Sequence, residues 1–333
     1  MSKIQDTEVR WGILGVGNVC EVKSAPAMNL IPNSKIVAVM RRSEEKVKDY
    51  AKRHGVPQWY TSATDLINDP EVNAIYIATP PNAHLELASL AAAAGKPVYV
   101  EKPMARTHQE CLDMIAICEK ANVPLFVAYY RRELPHFRKI KELITDGTLG
   151  EIRTIHINLK QKLDASLITK VETNWRVDPE LAGGGYFFDL ASHQLDLMDF
   201  FFGKITHASG FCSNQAGTYD AEDIVTGSFV FESGVLGTGN WCFTTSENAE
   251  IDQTIIYGSK GSVSFETFGK GEFELELDGK ATEKFSFELP KHIQEPLIET
   301  IVGDLLGTDT CKSTGISGAR ANWVMDQLVK ERV

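Results

Sequence analysis

The chain has 333 residues, enough for two domains with their own cores, and its 43% hydrophobic and 24% charged content is ordinary for a soluble globular protein. A net charge of −11 leaves no basic footprint for nucleic acid and argues against attraction to anionic membranes. No stretch approaches the roughly 20 apolar residues of a membrane span. The opening MSKIQDTEVRWGILG lacks the apolar core of a secretory signal, and none of the six cysteines forms a C-x-x-C pair, so reduced thiols, a cytoplasmic location and no metal site are expected.

From the N-terminus, short apolar runs alternate with helix-like segments. VRWGILG, SKIVAVM, NAIYIA, KPVYVE and PLFVAY read as buried strands. Helices are expected over Ser43–His54, Asn82–Ala94 and Thr107–Ala121. This alternation predicts a parallel α/β sheet covered on both faces. After about residue 150 the pattern becomes one of alternating polar and apolar residues, as in EIRTIHINLKQKL, DIVTGSFVFE, GVLGTGNWCF, IDQTIIYG, GSVSFET and EFELEL. That predicts a large, open, mainly antiparallel sheet, with helices over Arg132–Asp146, Tyr186–Phe202, Ile293–Leu305 and Ile316–Val329. The expected division is a Rossmann domain over residues 1–128 and a second domain over 129–333. The last helix is free to pack back on the first domain.

The first strand ends in GILGVGNVC, which carries Gly15-x-Gly17-x-x-Cys20. Gly15 permits a tight turn and Gly17 lets a pyrophosphate approach the backbone, with the N–H groups from Asn18 and Val19 onward facing it. Cys20 stands where the fingerprint has Gly or Ala but is small enough for close packing. Pro26 should kink or restart the following helix. The second strand ends AVMRRSEEK. Met40 stands where an NAD site places an acid for the ribose, followed by Arg41, Arg42 and Ser43. Two guanidiniums and a hydroxyl suit a ribose 2′-phosphate, which favours NADP(H) with NAD(H) possible. The alternative is a solvated basic pair at a helix start.

GGGYFFDLASHQLD, residues 183–196, places Asp189, His193 and Asp196 four and three residues apart, on one face of any helix formed there. The bland alternative is a solvated face with His193 capping a neighbour. VEKPMA, residues 100–105, delivers Glu101-Lys102-Pro103 to the carboxyl edge of the first sheet, where ligands bind in such folds.

Together with ATPPNAHLELA, these motifs resemble the glucose–fructose oxidoreductase/inositol dehydrogenase/rhizopine catabolism family (Gfo/Idh/MocA), in order over nearly the whole chain. The resemblance implies a dinucleotide domain, a C-terminal α/β domain with an open antiparallel sheet, and a homodimer or homotetramer formed through that sheet. It implies a small polyhydroxylated substrate, a sugar, cyclitol or related polyol, oxidised or reduced with NAD(P)(H). The catalytic set carries over onto Lys102, Asp189 and His193. Cofactor contacts fall on Thr79, Pro80, Asn82, His84, Glu101 and Lys102. Trp175 and Arg176 in NWRVDPELAGGG match a Trp-Arg element lining the cleft, where they would meet substrate with Lys102, Asp189 and His193. Tyr130 and Arg131 match a segment near the nicotinamide, although members often carry Asn at the place of Tyr130. His193 suits general acid–base work and Lys102 can stabilise charge on a substrate oxygen. Ile255, Tyr257, Val263 and Phe265 are expected outward, some of them in the oligomer contact. Two other readings remain: an NAD(P)-binding regulator without turnover, and a nicotinamide-dependent glycosidase.

Overall fold

In the computed structural model, residues 4–163 and 174–333 are described. The apolar runs of the first third form β1 (Val9–Leu14), β2 (Ser34–Met40), β3 (Gln58–Tyr60), β4 (Ala74–Ile77), β5 (Val98–Val100) and β6 (Leu125–Val127). All pair in parallel, in the order β3-β2-β1-β4-β5-β6. The chain winds outward from β1 to β3 and then returns to β4. The carboxyl ends of β1 and β4 therefore flank the point where strand order reverses, which is where ligands bind in open α/β sheets. β3 is a short edge strand that the alternation did not announce; two of its three residues are exposed.

Two compact units divide the chain. One takes the residues up to Tyr130 together with Pro290–Ala319; the other takes Arg131–Leu289 and Arg320–Val333. The helix Glu295–Leu306 thus belongs with the first sheet. Gln294, just before it, accepts a hydrogen bond from the Tyr99 hydroxyl at 2.7 Å and donates one to Glu101 at 2.7 Å.

The second sheet comprises β7 (Ile152–Lys160), β8 (Ile205–Ser213), β9 (Ile224–Phe231), β10 (Leu236–Cys242), β11 (Ile251–Gly258), β12 (Gly261–Phe265), β13 (Glu272–Leu277), β14 (Glu283–Ser286) and β15 (Glu331–Arg332). Their order is β14-β13-β12-β11-β7-β10-β9-β8-β15. Pairing is antiparallel except for β7 with β10 and β8 with β15. The inner face is closed by aromatic packing. Phe265 lies 5.5 Å from Phe137 and 6.1 Å from Phe201, both on helices of this unit.

Register corrects one expectation. Ile256 pairs with Val263 and Thr254 with Phe265, so each pair shares a face. Ile256 and Thr254 are buried, and Val263 and Phe265 go inward with them. Ile255 and Tyr257 pair with Ser264 and Ser262 and face outward. Four apolar residues that look equivalent in the sequence are split between the two faces by the period-two pleat.

Prolines set where the helices begin. The one expected over Arg132–Asp146 is a 3-10 turn at Tyr130–Glu133 followed by a helix over Pro135–Thr145. Pro135 forces Leu134 into an extended conformation and then serves as the first helical residue. Pro26 acts as expected: the helix Asn18–Val22 stops and a second turn, Ala25–Met28, begins with Pro26 in its first positions.

Candidate active site

In the first unit, the glycine loop has the geometry that the fingerprint requires. Gly15 adopts φ +92°, and a Cβ there would meet Thr79 Cγ2 at 2.7 Å and the Ala78 carbonyl oxygen at 3.0 Å. Only glycine satisfies both the left-handed backbone and the close approach to the end of β4. Gly17 caps the helix Asn18–Val22, and a Cβ on it would meet nothing nearer than 3.9 Å, so the backbone is open to an incoming group. Asn18 is exposed and Val19 half-buried, while Cys20 is fully buried and its thiol is pushed up to about 12, chiefly by that burial. The Met40 carbonyl accepts from the N–H groups of Gly15 and Val16, so the end of β2 fixes the loop. Arg41 Nη1 donates to the Val16 carbonyl at 3.1 Å, Arg42 is exposed, and Ser43 caps the helix Glu44–His54 by accepting from Lys46 N.

Beyond β4, Thr79 and Pro80 are half-buried and Asn82 is exposed. His84 is buried with both ring nitrogens against carbonyl oxygens, Nε2 at 2.8 Å from Thr79 O and Nδ1 at 3.1 Å from Met104 O. Burial pushes its pKa down. His84 thus ties the β4 loop to the segment after Lys102. Glu101 is buried. Its Oε1 accepts from Tyr76 at 2.6 Å and from Gln294, and its Oε2 from the Lys102 N–H at 3.2 Å. These bonds hold the strand end that presents the half-buried Lys102, and the Lys102–Pro103 peptide is cis.

In the second unit, the expected single helix over Tyr186–Phe202 is a π turn at Phe187–Ala191 running into an α-helix over Ser192–Phe202. Such π turns recur at functional sites. The glycine run before it is explained by packing: a Cβ on Gly184 would strike Phe188 and the Glu222 carboxylate, and one on Gly185 the Glu222 carbonyl at 2.7 Å. The same carboxylate accepts from Gly185 N at 2.8 Å. Three ties therefore fix this segment: Glu222 to Gly185, Trp241 Nε1 donating to Gln194 Oε1 at 2.7 Å, and Arg132 to Asp196. All three partners escaped the sequence reading, because only tertiary contact reveals them.

Asp189 and His193 sit in the π turn and in the first turn of the α-helix, respectively. Arg176 Nε donates to Asp189 Oδ2 at 3.1 Å, and the guanidinium lies 4.4 Å from the Trp175 ring centre. Trp175, Arg176 and Asp189 thus come together as a stacked ion pair, each partly exposed. His193 is 3% exposed and its ring meets Phe268 in a T-shaped contact at 6.0 Å. Asp196 follows His193 by three residues in the same helix. It is 1% exposed, paired with Arg132 inside the fold, and burial pushes it up to about 6 against the pull of that guanidinium. Arg131 belongs to this unit as well. It stacks on Phe268 at 4.5 Å and donates to the Thr267 carbonyl at 2.5 Å. Tyr130 is buried at the end of the first unit. Among the described residues no group of three or more His, Cys, Asp or Glu side chains is set to hold a metal ion, and no helix is long and apolar enough to cross a membrane.

Residues 9–129 match the oxidoreductase family with an NAD-binding Rossmann fold, and residues 137–264 match the Gfo/Idh/MocA C-terminal domain. Oxidoreductase P35 of Formosa agariphila is 42% identical over 323 residues, covering 96% of this chain and 98% of that protein. The myo-inositol 2-dehydrogenase of Thermotoga maritima is 27% identical over 263 residues, 77% of this chain and 74% of that one. The fold is shared with an aldose–aldose oxidoreductase from Caulobacter crescentus complexed with glycerol (TM-score 0.84, 24% identity, 96% of each chain). It is also shared with a levoglucosan dehydrogenase in complex with NADH and levoglucosan (TM-score 0.86, 21% identity, 97% and 96% covered). The chain belongs to the Gfo/Idh/MocA family. It is an oxidoreductase with an NAD-binding Rossmann domain.

Proposed function

We propose that the protein is a dehydrogenase or reductase that moves hydride between a nicotinamide dinucleotide and a hydroxyl or carbonyl carbon of a sugar, cyclitol or related polyol. The observation that carries this reading is the buried imidazole of His193 one turn after Asp189, itself held by Arg176. The names of relatives that act on inositol and anhydrofructose support the substrate class. The cofactor, when bound, supplies the hydride chemistry. His193 takes the proton from the substrate hydroxyl in oxidation and returns it in reduction. Lys102 carries the role that the family resemblance gives it, offsetting charge that develops on a substrate oxygen. Asp189, with Arg176 and Trp175, orients a neighbouring hydroxyl.

The glycine loop fits a dinucleotide, since the left-handed Gly15 and the open Gly17 leave backbone exposed at the switch point. Thr79, Pro80 and Asn82 line the same edge of the sheet, and the buried His84 braces them through the Thr79 carbonyl. NADP(H) is the preferred form: β2 ends in Met40 rather than an acid, and the exposed Arg42 beside Arg41 suits a 2′-phosphate. Residues 1–128 act as the dinucleotide domain, joined by the returning segment 290–319, and the remainder of 129–333 acts as the substrate and assembly domain. The outward Phe211 and Tyr257, at 52% and 37% exposure, suit a homodimer or homotetramer contact through the second sheet of a cytoplasmic enzyme. A panel of sugars and cyclitols with NADP+ and NAD+, followed by nicotinamide absorbance, tests the reading. Cofactor binding without turnover on any polyol would overturn it.

A further inference from the structure

Phe268 follows β12 on a connecting segment and is only half-buried, yet it is latched from three directions. Its own N–H donates to Asp252 Oδ2 at 2.6 Å, and the preceding carbonyl, of Thr267, accepts from Arg131. The Arg131 guanidinium covers the ring at 4.5 Å, and His193 meets the ring at 6.0 Å with 75° between the planes. The core phenylalanines Phe201 and Phe265 of this unit pack against each other. Phe268 stands between a cation and an imidazole and borders a cavity of about 890 Å³ that Gln253, Glu266 and Lys270 also line. Asp252 lies at the start of β11 and Arg131 just before the helix Pro135–Thr145. The ring is thus met from a 3-10 turn and a helix, and its backbone is tied to a strand.

We propose that Phe268 is a positioning residue for His193: a fixed apolar wall that sets the plane of the imidazole and keeps cavity water off that side of it. The proposal rests on the assignment of His193 as the proton-transfer group. A catalytic base must be held within a few tenths of an ångström of its working place, and a free-turning ring loses that. The edge-to-face contact restricts rotation, and the Arg131 stack and the two backbone bonds restrict Phe268 itself.

Two readouts separate this proposal from its premise. The first needs no substrate: NMR titration of the histidine rings, with the His193 signal assigned from His193→Asn. Phe268→Ala is expected to move the His193 midpoint to higher pH, because water reaching the ring stabilises the imidazolium. Phe268→Tyr is expected to leave it in place. The second is turnover on the best polyol. Phe268→Ala is expected to lower kcat about tenfold or more with cofactor affinity unchanged, and Phe268→Tyr to restore it. Circular dichroism and an unfolding midpoint close to those of the wild type certify that the variant is folded. An unchanged His193 titration in Phe268→Ala, or unchanged kcat in an active enzyme, overturns the positioning role. Absence of turnover in the wild type overturns the polyol reading instead, and the titration still decides the wall.

Discussion

Arg132 grips Asp196 through two hydrogen bonds, Nε to Oδ2 at 2.7 Å and Nη2 to Oδ1 at 2.6 Å, three residues beyond His193 on the same helix. Both side chains are buried, and Asp199 adds a third contact at 3.2 Å. Arg320 reaches Asp199 from the more exposed side at 3.1 Å. The helix that carries His193 is thus locked by charge as well as by packing. Removing one partner of a buried pair leaves the other uncompensated, so Arg132→Leu should destabilise by about 3–5 kcal/mol. The double variant Arg132→Leu/Asp196→Leu should lose clearly less, because no orphaned carboxylate remains at 196. Urea unfolding of the three proteins measures this; equal losses in the single and double variants would show that packing, not charge, holds the helix.

His136 gives a pH signature of stability. It is 2% exposed, and burial, helped by the Arg131 charge, pushes its pKa down to about 4 from an ordinary 6.5. As pH falls below 6.5 the unfolded chain takes up a proton that the folded protein refuses. The contribution is fully present above that pH and is lost as pH falls through about 4. Inside the window the slope reaches about 1.4 kcal/mol per pH unit. His136→Phe should show a shallower fall in unfolding free energy between pH 6.5 and 4 than the wild type. Parallel curves would mean that His136 titrates normally in the fold.

Lys102→Ala and His193→Ala should each lower kcat by roughly 10²-fold or more, since each removes a group that moves a proton or stabilises charge. Cofactor affinity should change much less. Steady-state kinetics paired with cofactor titration checks both, and near-wild-type turnover in either variant removes that residue from the catalytic set.

Cofactor choice is tested at the end of β2. Loss of a charge-assisted contact should cost about 1.5–3 kcal/mol, roughly 10- to 150-fold in affinity. Arg42→Ala should therefore weaken NADP(H) while leaving NAD(H) nearly unchanged. Arg41 also braces the Val16 carbonyl, so its removal should weaken both forms somewhat. Met40→Asp/Arg41→Ala should narrow or reverse the preference. Calorimetric titration with both cofactors decides it, and equal wild-type affinities would show that neither arginine meets a 2′-phosphate.

Much of this architecture was legible along the chain. Buried apolar runs alternating with helices announced the parallel sheet, and the period-two runs announced the mainly antiparallel one. β8 was not announced: in ITHASGFCS only Ile205, Gly210 and Cys212 are buried, so its hydrophobic signal is thin. Helix starts shifted wherever proline constrained the preceding residue, as at Pro135. The regular helix expected through Asp189 became a π turn, since hydrophobic spacing does not distinguish a bulged turn from an α turn.

The sequence by itself determined the strand order's raw material, the glycine loop and the residue types placed at Lys102, Asp189 and His193, because these depend on backbone period and local chemistry. Only the tertiary structure decided what those side chains meet. It paired Arg176 with Asp189, buried Asp196 in an ion pair with Arg132, sent Val263 and Phe265 inward while Tyr257 stayed out, and set Phe268 against His193. The physical reason is range. Periodicity and turn chemistry act over a few residues, whereas the partners of Asp196 and His193 lie 64 residues back at Arg132 and in a loop beyond β12, joined only when the sheet and helices pack.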